Sequence, residues 1–115
     1  MKLSDCIAVY RAIGENADKN LGMRNNYNVS LNLKALESII KPFDEEREKM
    51  LKKLQEKYGE KEVPQKEVNK FNGDLLKILD EDHEVKLKNL KISDIPSKTE
   101  LNASFFVACQ EIVTE

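Results

Sequence analysis

The clearest pattern along the chain is a run of apolar residues spaced alternately three and four apart. Leu33, Leu36, Ile40, Phe43, Met50 and Leu54 keep this phase, with Arg47 at its one charged position. Such spacing is the seam of a heptad helix. Pro42 falls inside the run, and proline removes a helix hydrogen bond and crowds the preceding turn. The phase is the same on both sides of Pro42, which a chain break would have no reason to preserve. The pattern therefore predicts one long helix over 30–58, kinked near residue 41, ending at Tyr58-Gly59. After a link at 60–65 that contains Pro64, a second seam follows: Val68, Phe71, Leu75 and Leu79, widened by Leu76 and Ile78. It predicts a helix over 66–80. Two seamed helices joined by a short link imply an antiparallel helical hairpin.

The flanks carry other periods. Leu3, Cys6, Ile7, Tyr10 and Ile13 predict a first helix over 4–19, with Ser4 and Asp5 as capping residues and Gly22 suited to the stop. Residues 23–29, MRNNYNV, read as a polar, Asn-rich link. From His83 to Lys88 apolar and polar residues alternate, which predicts a half-buried strand. The alternation restarts one step out of phase at Leu90 and Ile92, so a bulge or tight turn belongs at Lys88-Asn89. A lone strand leaves unpaired backbone groups and needs a partner: its own second half, the 23–29 link or another chain. Ser97 and Glu100 have the spacing of a capping box. They predict a last helix over 98–113 that buries Leu101, Phe105, Ala108, Cys109 and Ile112. The expected fold is one domain over 1–115. It is mainly α, α+β at most, with a long kinked helix in a helical hairpin, one short strand or mini-hairpin and a C-terminal helix.

Composition narrows the function classes. The 115 residues include 19 Lys and Arg against 21 Asp and Glu, for a net charge of −2, and the two signs are interleaved. No basic face large enough to collect phosphates stands out, so nucleic acid is a poor fit. No apolar window approaches the roughly 18 residues needed to span a bilayer, and no leader-like segment opens the sequence. The two cysteines, Cys6 and Cys109, pair only if the ends of the chain pack together. The expectation is a reducing cytoplasm with both thiols free.

Few residues carry chemistry. Asp80-Glu81-Asp82-His83-Glu84 concentrates oxygen ligands around the only histidine. It has neither a second histidine one helical turn away nor the glycine of a calcium loop. A solvated helix end running into a strand is the better reading. Cys6 and Cys109 sit among apolar residues on helical faces, where cysteine behaves as a small core residue. The four glycines are isolated, so there is no phosphate-binding loop, and Gly73 reads as a place where another helix approaches. The mixed charges from Lys41 to Lys53 suit a solvated helix face. Arg47, at a seam position, either snorkels from the seam edge or pairs with a carboxylate across a helix–helix interface. No catalytic, cofactor-binding or metal-binding residue is expected, and no enzyme activity. The expected contact residues are Arg47 together with Val85, Leu87, Leu90 and Ile92 of the alternating segment.

Two stretches taken together carry a resemblance: KALESIIKPFDEEREKMLKKLQEKYGE from Lys34, and VNKFNGDLLKILDEDHEVKLKNLKISDI from Val68. A long charged helix ending in KYGE is followed by a helix with Phe71 and the Leu75-Leu76 pair, then a short alternating segment and an ISDI step. This order resembles a group of small uncharacterised bacteriophage and prophage proteins. The resemblance implies a phage gene product in the host bacterial cytoplasm or in the virion. The expected function is a structural, assembly or interaction protein. Its partners would be protein: a second copy in a homo-oligomer, other phage proteins or a host enzyme. The alternative is an anti-CRISPR-like or other counter-defence inhibitor that binds a host defence enzyme.

Overall fold

The structure, a computed structural model, describes residues 1–115. It is mainly α, with a minor two-stranded sheet. Helix α1 (Leu3–Glu15) leads to α2 (Met23–Tyr58) and α3 (Gln65–Leu79). Strand β1 (Leu90–Lys91), a 3-10 turn (Ile92–Asp94), α4 (Ala103–Ala108) and β2 (Val113–Thr114) complete the chain.

The long helix continues through Pro42, as its unbroken phase requires. Proline has no N–H for the Ser38 carbonyl, and Ser38 is exposed, where water can replace that donor. Its seam is divided between two environments. Leu36 and Ile40 are buried in a head formed with α1, β1, α4 and the C-terminal residues. Beyond them α2 and α3 form the expected antiparallel hairpin, which projects as an arm and stretches the molecule to 53 × 27 × 20 Å. Gly59, with φ of 57°, reverses the chain at the tip. A Cβ at Gly73 would meet nothing within 4 Å, so no helix makes use of that position.

The head is built on α1, which buries Leu3, Cys6, Val9, Ala12 and Ile13 on one face. Helix α1 ends four residues earlier than its apolar pattern suggests. The buried Asn16 amide turns back to donate to the Ala12 carbonyl at 2.7 Å and satisfies that end of the helix. Gly22 does not stop α1. It precedes α2 with φ of 95°, and a Cβ there would overlap the Asp94 carbonyl oxygen. Only glycine combines that backbone conformation with so close an approach.

The Asn-rich segment is helix, not link. Asparagine is a poor helix former because its side chain competes for local backbone groups. Here those side chains are spent on distant backbone instead. The Asn32 amide donates to the Lys88 carbonyl at 3.0 Å and accepts from the Lys88 N–H at 2.6 Å. Asn25 does the same with Lys91, at 2.8 and 2.9 Å. Between them Asn28 donates to the Asn89 carbonyl at 3.1 Å. The register is geometric. Seven helical residues rise about 10.5 Å, and three extended residues span about 10 Å. Two amides seven apart on a helix therefore match two backbone units three apart on an extended chain.

The alternating segment is extended with its apolar side inward, as expected, since Val85 and Leu87 pack against the core. The sheet differs. No mini-hairpin forms; β1 pairs in parallel with β2, Leu90 opposite Val113. The chain bends into a 3-10 turn at Ile92, which lies 47% exposed. At its other end the segment pairs with the N-terminus. The Met1 amine donates to the His83 carbonyl at 2.9 Å, and the Leu3 and His83 N–H groups reach Glu81 and Met1. The last helix is α4 alone, six residues long instead of the sixteen of the 98–113 expectation. Asn102, not Ser97, caps it, accepting from the Phe105 N–H at 3.0 Å. The Thr99 hydroxyl is drawn off to the Asn20 carbonyl, which holds 97–100 out of helix.

Candidate functional site

The two thiols lie in one core cluster at 0% and 1% exposure and remain free. Burial raises both thiol pKa values, that of Cys109 from 9.0 to about 11. A thiol held protonated is a poor nucleophile. The groove of about 580 Å³ between α1 and 104–112 reaches Cys109, so it offers no activated sulfur.

The acidic run does not converge on a point. Asp80 pairs with Lys2 at 2.8 Å, and this hydrogen bond raises the lysine's pKa. Asp82 lies opposite Lys2 in an antiparallel bridge. No three His, Cys, Asp or Glu side chains are placed to share a metal ion. The His83 ring reaches inward, with Nε2 buried and without a hydrogen-bond partner.

The expected contact residues are not brought together. Arg47 lies exposed on the arm and pairs within its own helix, to Asp44 at 3.8 Å, not across an interface. Val85 and Leu87 are half-buried in the head, and Ile92 is exposed on the 3-10 turn. Leu90 is 1% exposed and belongs to the core. The period-2 pattern marked its inward side correctly, and an inward residue between α2 and β2 has no free surface to offer.

Two surfaces do offer contact. The first is a short open edge. The clamp by α2 asparagines and β2 holds Lys88–Lys91, and the N-terminus holds Glu81–His83. Between these, the backbone of Glu84–Leu87 makes no hydrogen bond within the chain. A stretch with free backbone N–H and C=O groups is a template for an added strand.

The second is the arm. Helix α3 buries no residue at all. Its Val68, Phe71 and Leu75 stay half-exposed, while Leu76 is 65% exposed and Leu51 on α2 is 48% exposed. A shallow groove of about 530 Å³ runs along the side that carries Leu51 and Gln55, floored by Leu54, Val68 and Phe71. One ion pair, Lys57 to Glu67 at 3.6 Å, ties the two helices near the tip. The seam spacing predicts cover by the hairpin; with only one helix to cover it, the seam stays partly bare, and Leu51 lies beside the seam positions. The asparagine clamp was missed. Its signal is Asn25 and Asn32, seven residues apart and leading at helical spacing into Leu36. No helix here is long and apolar enough to cross a membrane. Comparison with family models, with curated proteins and with solved structures finds no match to this chain.

Proposed function

We propose that this protein acts by contact and not by catalysis, as a small phage-encoded structural or assembly protein whose arm is its working surface. The observation that carries this reading is the arm itself. The fifteen residues of α3 bury no side chain, and Leu51, Leu54, Val68 and Phe71 line one open groove on the arm. Scattered exposed apolar residues need no explanation, whereas a contiguous set on a projecting element marks an interaction surface. The phage context rests on the resemblance of the stretches 34–60 and 68–95 and would put the protein in the virion or the host cytoplasm.

The test is incorporation. Wild type and Leu76→Asp are expressed during infection and sought in purified particles. The wild type should be present and the variant depleted. Equal incorporation of both would overturn an arm-mediated role. The open edge at Glu84–Leu87 favours a second reading, an inhibitor that adds a strand to a host defence enzyme. In that case wild type is absent from particles and co-purifies with one host enzyme, and Lys86→Pro, which removes one N–H donor, breaks the complex.

A further inference from the structure

The charges on the distal half of α2 are ordered. Residues 44–48 hold Asp44, Glu45, Glu46 and Glu48 against Arg47, a net charge of −3. Residues 49–57 hold Lys49, Lys52, Lys53 and Lys57 against Glu56, a net charge of +3. Within the chain this order is barely used. Of these ten charged groups, Asp44 and Arg47 pair with each other and Lys57 pairs with Glu67.

A helix acidic in one half and basic in the other is complementary to itself when two copies run antiparallel. It is repelled by a copy running parallel. The side of α2 beside the bare groove carries both signs, an acidic pair flanked by lysines. Lys41, Glu45, Glu48, Lys52 and Gln55 follow one another at spacings of three and four, so they share that side with Leu51. Leu76 lies one turn beyond Asn72, which lines the same groove.

We propose that the arm closes on a second copy of this chain, antiparallel, to form a four-helix bundle about a two-fold axis. Leu51 and Leu76 of each copy cover the other's groove. Lys52 of one copy faces Glu45 and Glu48 of the other, and in the same register Lys41 faces Glu56. A two-fold interface needs one self-complementary patch, and this patch supplies both the apolar centre and the flanking charges. The proposal rests on the contact reading of the arm and names its occupant.

A charge swap tests it. Sedimentation equilibrium is run from about 1 µM to about 500 µM, a range suited to a small interface. Wild type should dimerise. E45K/E48K makes this side uniformly basic, and K52E makes it predominantly acidic, with Lys41 its one remaining cation. Each alone should raise the dissociation constant about tenfold or more, because like charges then face each other across the two-fold. An equimolar mixture should recover the wild-type affinity as a heterodimer. E111K/E115K has the same net charge as E45K/E48K with the change on the head, and it should not pair preferentially with K52E. L51S/L76S should also lose dimer while circular dichroism retains its helix content. A monomeric wild type, or a mixture that fails to recover, overturns self-pairing. If such a monomer still enters particles in a Leu76-dependent way, the contact reading stands and only its occupant is wrong.

Discussion

From Met23 to Ile40 helix α2 buries Asn25, Asn32, Leu36 and Ile40; from Lys41 to Tyr58 it buries nothing. One continuous helix, with one unbroken heptad phase, thus runs through two environments. In the head its apolar side meets α1, β1 and the C-terminal segment, and its polar side chains are drawn into backbone bonds. In the arm it meets only α3. A helix pair can cover at most one side of each seam, and a seam about 100° wide needs more than one neighbour. The difference teaches that periodicity defines which side of a helix seeks burial, while the number of neighbours decides how much it obtains.

The largest effect should come from a charge placed in the head. Leu36 is 0% exposed, so Leu36→Asp should cost several kcal/mol and unfold the protein at 25 °C, because an ionised carboxylate there has no partner. Leu75→Asp, on the same pattern but half-exposed in the arm, should cost about 1–2 kcal/mol and leave the head folded. Urea titrations followed by circular dichroism compare the two; equal losses would dissolve the distinction between head and arm.

Next comes the clamp. Asn25→Ala leaves the part-buried Lys91 N–H and C=O without their side-chain partners, at about 1 kcal/mol for each bond lost. Asn32→Asp keeps the acceptor for the Lys88 N–H but sets a carboxylate against the Lys88 carbonyl, so it should destabilise less than Asn25→Ala only below the aspartate's pKa. Hydrogen exchange at the Lys88 and Lys91 amides should accelerate in the respective variants before global unfolding does.

Gly22→Ala places a Cβ on the Asp94 carbonyl at a positive φ and should cost about 1–3 kcal/mol. Gly59→Ala also meets a positive φ, but with open space around it, so its cost should be about 1 kcal/mol and confined to the arm. Thermal melts of both variants check the order.

The smallest effect is one of pH. Folding holds the Cys109 thiol protonated up to about 11, whereas its ordinary value is 9.0. Above 9 the unfolded chain loses this proton first, so stability should decline between pH 9 and about 11 and be unaffected by this group below pH 8. Cys109→Ala should remove that slope. Thiol labelling of the native protein should be slow at both cysteines, and rapid for both after unfolding.

The long helix, its passage through Pro42, the hairpin and the inward residues Val85, Leu87, Phe105, Cys109 and Ile112 were all legible, because each is a local period or spacing. The contact set was not. Leu90 and Ile92 share a phase in sequence, yet one is core and the other exposed, since β2 ends the extended run at Lys91 and the chain turns away. Arg47 was recognisable as an anomaly in the seam, and the structure places it outside, paired with Asp44.

The amino-acid sequence by itself determined the long helix with its hairpin and which side of each is apolar, because the 3.6 and 2.0 residue periods are properties of the backbone alone. Tertiary structure decided what the asparagines do, which strands pair and where the last helix begins. An amide can cap, turn or clamp at similar energy, and only the arrival of Lys88–Lys91 beside α2 selects the clamp. The same holds for β1, whose N–H and C=O groups accept any extended partner. It was the packing of α4 on α1 that brought Val113–Thr114 alongside.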